Sequence, residues 1–128
     1  LNHPLVEPYC NAEEVVKIIN KNNFTFFSNQ KLFSLYEEKY PLSKRTYSIV
    51  KEIMINDKND SYVLRAKTGY SDVNTLDIGW FVGYVETKDN VYFFATRLWQ
   101  DEPNKNKDFL ALRKIITLDV LKELKFIK

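Results

Sequence analysis

The chain has 128 residues, enough for one domain with its own core, and its 45% apolar and 15% aromatic content excludes disordered, collagen-like and low-complexity classes. Nineteen basic residues against seventeen acidic ones leave a net charge of +2 with the lysines scattered, so nucleic acid is not an expected partner. Cys10 has no second cysteine to pair with, His3 and Cys10 belong to no cluster at metal-ligand spacing, and no apolar run reaches the roughly 18 residues of a membrane span.

In chain order, Asn11 followed by Glu14 reads as a helix start, and Val15, Ile18 and Ile19 then fall on one face, which predicts a short helix over 12–21. Residues 24–40 mix aromatic and polar side chains without a clean period, and Gln30–Lys39 is expected to be helical. Pro41 breaks the chain and Ser43 can cap, after which Tyr47, Val50, Ile53 and Met54 recur at helical spacing, predicting a second helix over 43–54. Asp57-Lys58-Asn59-Asp60 reads as a turn, Tyr62 to Thr68 as a strand, and the polar stretch 70–76 as a loop.

Ile78 to Val85 is apolar at nearly every position, as expected of a central strand covered on both faces. Lys88-Asp89-Asn90 turns the chain into a strand over Val91–Leu98, giving an antiparallel hairpin. Asp108–Leu124 places Phe109, Leu112, Ile116, Val120 and Leu124 on one face of a packing helix. The predicted class is mixed α/β (α+β), an antiparallel sheet of three strands flanked by helices, with the Lys67-bearing strand at its edge beside Ile78–Val85. Three strands around so apolar a centre leave surface for something else to cover, which points to a further half of the fold.

The residues best suited to chemistry are Lys67-Thr68-Gly69-Tyr70 at a strand end. Lysine supplies a fixed cation, threonine a hydroxyl that can donate to a carboxylate, and glycine lets a ligand approach the backbone. The backbone N–H of Tyr70 could serve as one donor of an oxyanion hole. As a triplet alone, Lys-Thr-Gly is compatible with an ordinary strand end, and no Gly-x-x-x-x-Gly-Lys precedes it to make a phosphate loop. Trp80, Phe81, Tyr84, Tyr92, Phe93 and Phe94 read as core, and Glu13-Glu14 and Glu37-Glu38 as solvated pairs.

The surrounding blocks carry a resemblance. Arg65-Ala-Lys67-Thr-Gly-Tyr70, Ile78-Gly-Trp-Phe-Val-Gly-Tyr-Val-Glu86 and Val91-Tyr-Phe-Phe-Ala95 resemble the segment of class D serine β-lactamases around the third conserved motif. Pro41–Met54 is similar to the helix preceding that motif, and Phe109-Leu-Ala-Leu-Arg-Lys-Ile-Ile-Thr117 to the family's closing helix. The resemblance covers residues 36–128 and implies the C-terminal portion of a β-lactamase or penicillin-binding transpeptidase-like fold, with residues 1–35 as a divergent N-terminal segment. It implies that Lys67, Thr68 and Gly69 line the substrate groove, that the Tyr70 backbone N–H donates to the oxyanion, and that Arg113 holds the substrate carboxylate. A solvated helix residue is the alternative for Arg113.

In such proteins a serine attacks the lactam carbonyl and a lysine three residues later acts as general base. Here Ser28-Asn-Gln-Lys31 fits that spacing in a polar setting unlike the family's buried helix, Ser48-Ile49-Val50 stands out of step with the second motif, and the Tyr-Gly-Asn stretch is absent. The implied parent hydrolyses the β-lactam amide in the periplasm or outside the cell, needs no cofactor, and supplies the nucleophile from a segment outside this chain, so the chain alone is expected to be inactive. The N-terminus lacks the pattern of a signal peptide. The sensor domain of a transmembrane β-lactam receptor, and a non-functional remnant, are the alternatives.

Overall fold

The structure is a computed structural model that describes the backbone of residues 13–20, 30–101 and 106–128, with side chains from Phe33 onward. Its elements in chain order are β1 (Glu13–Asn20), α1 (Gln30–Tyr36), α2 (Lys44–Ile53), β2 (Ile55–Lys58), β3 (Tyr62–Val73), β4 (Leu76–Thr87), β5 (Val91–Asp101) and α3 (Phe109–Glu123). The strands are hydrogen-bonded in the order β1-β5-β4-β3-β2, so β4 is central, as its apolar sequence requires. The two-residue turn Asn74-Thr75 and the short 88–90 connection make β3, β4 and β5 an antiparallel meander, and β2 pairs antiparallel with β3 through Ile55–Arg65, Asp57–Leu64 and Lys58–Val63. The predicted antiparallel sheet flanked by helices is therefore present.

Four local expectations are corrected. Residues 13–20 form a strand rather than a helix: Val15, Val16, Ile18 and Ile19 are β-branched, which favours extended backbone, and β5 offers them a pairing partner. The stretch 70–76 is not a loop, because the whole reversal is made at Asn74, whose φ of 55° lies in the left-handed region that asparagine tolerates. β2 takes Asp57 and Lys58 from the expected 57–60 turn and pairs with residues 63–65, so β3 is an inner strand there and β2 is the sheet edge. Trp80 is 41% exposed, so the central strand is not covered along both faces.

The described residues divide into two compact units, one of residues 18–20, 30–67 and 82–94, the other of residues 13–17, 68–81, 95–101 and 106–128. In the first unit, Ser43 caps α2 by accepting a hydrogen bond from the Thr46 N–H at 3.1 Å, and the buried Tyr47 donates its hydroxyl to the Tyr40 carbonyl at 2.6 Å. Its core joins Tyr84, Val91 and Phe93 to Phe33 and Tyr36, with the Tyr36 ring edge-on to Tyr84 at 5.4 Å and to Phe93 at 5.8 Å. Arg65 pairs with Glu86 and also donates through Nε to the Lys51 carbonyl, tying β3 to β4 and to α2.

In the second unit, Phe109, Leu112 and Ile116 of α3 pack with Leu98, and Val120 joins them. The buried Thr96 and Thr117 hydroxyls meet at 2.5 Å, and Thr117 also donates to the Arg113 carbonyl. The apolar stripe expected to end at Leu124 instead ends at Leu121, which is fully buried while Leu124 is 51% exposed. A stripe spaced strictly by four drifts off the contact face of a helix with 3.6 residues per turn.

Candidate functional site

The site is assembled in the second unit, where β3 enters at Thr68 and α3 returns Arg113 to it. Gly69 and Trp80 share one face of the sheet, since a Cβ on Gly69 would lie 3.4 Å from the Trp80 Cβ. Gly79 faces the other side: a Cβ there would meet Arg113 Cδ at 2.9 Å and Phe109 Cε2 at 3.2 Å. Successive strand side chains alternate, so Thr68 and Tyr70 share the α3 face with Arg113.

Arg113 lies over Gly79 and reaches past β4. Its Nη1 donates to the Gly69 carbonyl at 2.8 Å and its Nε to the Leu110 carbonyl at 2.8 Å. Burial pushes the guanidinium below its ordinary pKa, yet an arginine remains protonated at any physiological pH. Two segments more than 40 residues apart, the Lys-Thr-Gly strand end and the Leu-Arg-Lys helix, are thus joined by one hydrogen bond across 44 positions. A guanidinium so held is a fixed cation beside a strand that carries an exposed hydroxyl at Thr68, a pair suited to gripping a carboxylate. Lys67, the neighbour of Thr68 on β3, is also exposed.

Tyr70 is 52% exposed, and its hydroxyl donates to Oδ1 of Asp77 at 2.9 Å. Asp77 is buried and accepts a second bond at Oδ2, from Gln100 Nε2 at 3.0 Å; Gln100 Oε1 in turn accepts from the Asn106 N–H at 3.0 Å. These residues, with Lys107, Phe109 and Leu110, line an open cavity of about 410 Å³. Asp77, Gln100 and Asn106 were not foreseen; the available signal was a carboxylate directly before the apolar run from Ile78, which is costly to bury unless it is hydrogen-bonded. On the opposite face the Arg97 guanidinium stands 5.9 Å from the Trp80 ring.

Ser28 lies outside the described residues. Ser48-Ile49-Val50-Lys51 has the same Ser-x-x-Lys spacing and was passed over; it lies on α2 with Ser48 exposed. Lys51 is engaged elsewhere, donating to the Tyr36 carbonyl at 3.1 Å and pairing with Glu38 at 3.3 Å. An ammonium held by a carboxylate and a carbonyl is a poor general base. Among the described residues no three His, Cys, Asp or Glu side chains gather as a metal site, and no helix is long and apolar enough to cross a membrane.

Residues 12–122 match the model of the penicillin binding protein transpeptidase domain. The β-lactamase OXA-48 of Klebsiella pneumoniae is 47% identical over 96 residues, covering 75% of this chain and 35% of that protein. The crystal structure of a class D β-lactamase from Sebaldella termitidis superposes with a TM-score of 0.70 at 48% identity, over 76% of this chain and 39% of that one. The C-terminal domain of the Bacillus licheniformis BlaR penicillin-receptor follows with a TM-score of 0.61 at 32% identity, over 72% of this chain and 36% of that one. The chain spans about a third of the length of OXA-48.

Proposed function

Because the chain belongs to the penicillin-binding protein transpeptidase domain family and corresponds to the C-terminal portion of a class D β-lactamase, we propose that it forms one wall of a β-lactam site and clamps the drug's carboxylate. The observation that supports this reading is the 2.8 Å hydrogen bond from Arg113 to the Gly69 carbonyl, which holds the guanidinium against the strand that carries Thr68.

In the proposed site Arg113 and Thr68 grip the carboxylate, Gly69 lets the ligand lie against β3, and the Tyr70 N–H donates to the lactam carbonyl oxygen as negative charge develops on it. Lys67, which the alternation of the strand turns to the opposite face from Thr68, adds positive charge only at the strand end. The nucleophilic serine and its lysine base belong to the remainder of the catalytic domain, contributed from residues outside 36–128. The complete protein then hydrolyses the lactam amide through an acyl-serine, on the periplasmic or extracellular side where β-lactams arrive.

The similarity to the BlaR penicillin-receptor domain supports a second reading, a sensor that is acylated and stays so. Deacylation separates the two: a complete protein that releases hydrolysed penicillin repeatedly is a lactamase, and one that stops after one equivalent is a receptor.

The clamp is tested on this chain by titrating benzylpenicillin into the isotopically labelled protein. Resonance shifts at Thr68, Gly69, Tyr70 and Arg113 that vanish in Arg113→Ala are expected. Shifts scattered over both units, or unchanged in Arg113→Ala, would remove the reading.

A further inference from the structure

We propose that Asp77 is a positioning residue for Arg113, acting through a closed circuit of hydrogen bonds around the cavity beneath Tyr70. The circuit begins at Tyr70 on β3, whose hydroxyl donates to Asp77 Oδ1 on β4 at 2.9 Å. It passes to β5, where Gln100 Nε2 donates to Asp77 Oδ2 at 3.0 Å. From there Gln100 Oε1 accepts from the Asn106 N–H at 3.0 Å, in the turn that opens α3. Asn106 holds that turn by accepting from the Asp108 N–H through its side chain at 2.8 Å and from the Phe109 N–H through its carbonyl at 3.1 Å. One helical turn later Arg113 closes the circuit onto the Gly69 carbonyl, one residue before Tyr70.

Each link has a physical reason. Asp108 makes no side-chain cap for α3, so the helix start is held by Asn106, and Asn106 by Gln100. Asp77 and Gln100 are 5% and 3% exposed, which makes their bonds strong and their loss costly. A carboxylate accepts from both Tyr70 and Gln100, whereas an asparagine at 77 has one acceptor oxygen and could keep both contacts only by reversing the bond to the Tyr70 hydroxyl and giving up the charge that strengthens them. Gln100 cannot reverse its amide to compensate, because its oxygen already accepts from Asn106. Asp77 touches no reacting atom; its role is to fix the start of α3 against β3, and so the place from which Arg113 reaches out. As a function this rests on the reading of Arg113 as the carboxylate clamp.

The test uses the 128-residue chain, reading by NMR the hydrogen exchange of the Arg113 Nη1–H that donates to Gly69, together with the urea midpoint. Asp77→Ala should speed that exchange roughly tenfold, the factor expected when a charge-assisted hydrogen-bonded link is lost. Tyr70→Phe, which removes one bond at an exposed residue and keeps the fold, should give a smaller acceleration, and Asp77→Asn one between the two. Ile127→Val, buried in the same unit beyond the end of α3 and outside the circuit, should lower the urea midpoint without changing the Arg113 exchange. Equal acceleration in Ile127→Val, or none in Tyr70→Phe and Asp77→Asn, would overturn the proposal. A titration with benzylpenicillin separates the two readings: exchange that responds as expected in a chain that binds no penicillin leaves the positioning intact and removes the clamp.

Discussion

Arg113 reaches the Gly69 carbonyl only because residue 79 has no side chain: a Cβ on Gly79 would stand 2.9 Å from Arg113 Cδ, closer than real Cβ contacts allow. Gly79→Ala should therefore displace the arginine stem from β4 and break its bond to Gly69. The stem is flexible, whereas Phe109, 3.2 Å from the same Cβ, is buried in the core, so the fold bears only part of the strain. We expect a stability loss of about 1–2 kcal/mol by urea denaturation, at the low end for overpacking, together with loss of penicillin-induced shifts at Arg113. An Arg113 resonance that still responds to penicillin as in the wild type would contradict this.

Gly83 sets a harder limit. A Cβ there would fall 2.0 Å from the Arg65 carbonyl oxygen and 2.7 Å from the Ala66 Cα, both backbone atoms of β3. Backbone cannot rotate aside as a side chain does, so Gly83→Ala should cost at least about 3 kcal/mol, at or beyond the upper range for overpacking. The expected outcome is a chain recovered mostly in the insoluble fraction, and a wild-type urea midpoint would refute the contact.

How far the sequence discloses this molecule depends on the range of the interaction involved. The helix from Ser43 was legible because its cap and apolar spacing are local, and the bond Ser43 makes to Thr46 is the one its position predicts. Residues 13–20 were misread because Val15, Ile18 and Ile19 satisfy a helical period as well as a strand, and a pairing partner almost 80 residues away decides between them. The 70–76 stretch was misread because polar composition marks loops, while a single asparagine in the left-handed region lets a hairpin turn in two residues. The link between Gly69 and Arg113 came from the resemblance, since no local pattern joins residue 69 to residue 113, and one hydrogen bond connects them in the structure. Asp77 and Gln100 were invisible because their meaning lies in each other, on neighbouring strands.

Alkaline pH offers a test of the first unit. Tyr62 is buried, donates its hydroxyl to Asp57 Oδ2 at 2.8 Å, and has its pKa pushed up to about 12 by burial and by the Asp57 carboxylate. Its ordinary value is 10.0, so between those two values the unfolded chain has lost the phenol proton that the folded chain keeps. Folding then binds a proton, and stability falls as pH rises. The contribution is complete below pH 10.0 and is lost as pH climbs through about 12. Tyr62→Phe should be less stable than wild type at neutral pH by about 1 kcal/mol, the net worth of one hydrogen bond, and the gap should narrow as pH rises through that window. Urea midpoints measured for both proteins across the window decide it; a constant gap would mean that Tyr62 titrates normally.

The last prediction concerns covalent chemistry of the chain by itself. In the proposed site Arg113, Thr68 and the Tyr70 N–H hold a carboxylate and polarise a carbonyl, but forming an acyl intermediate also needs a nucleophile beside a base able to take its proton. Ser48 has a lysine at the family spacing, yet that lysine already donates to the Tyr36 carbonyl and pairs with Glu38, so its proton-accepting lone pair is not on offer. Ser28 and Lys31 share only the spacing. A small residual hydrolysis rate would decide nothing, because groups that bind and polarise a substrate accelerate its reaction weakly even without a nucleophile. Intact-protein mass spectrometry after incubation with benzylpenicillin is sharper, since acylation adds the whole drug to one residue. We expect no stoichiometric adduct on the 128-residue chain, and an adduct on a serine outside it when the complete catalytic domain is treated in the same way. Stoichiometric acylation mapped by peptide digestion to Ser48 or Ser28 would show that the nucleophile lies within this chain and would return that serine to the site.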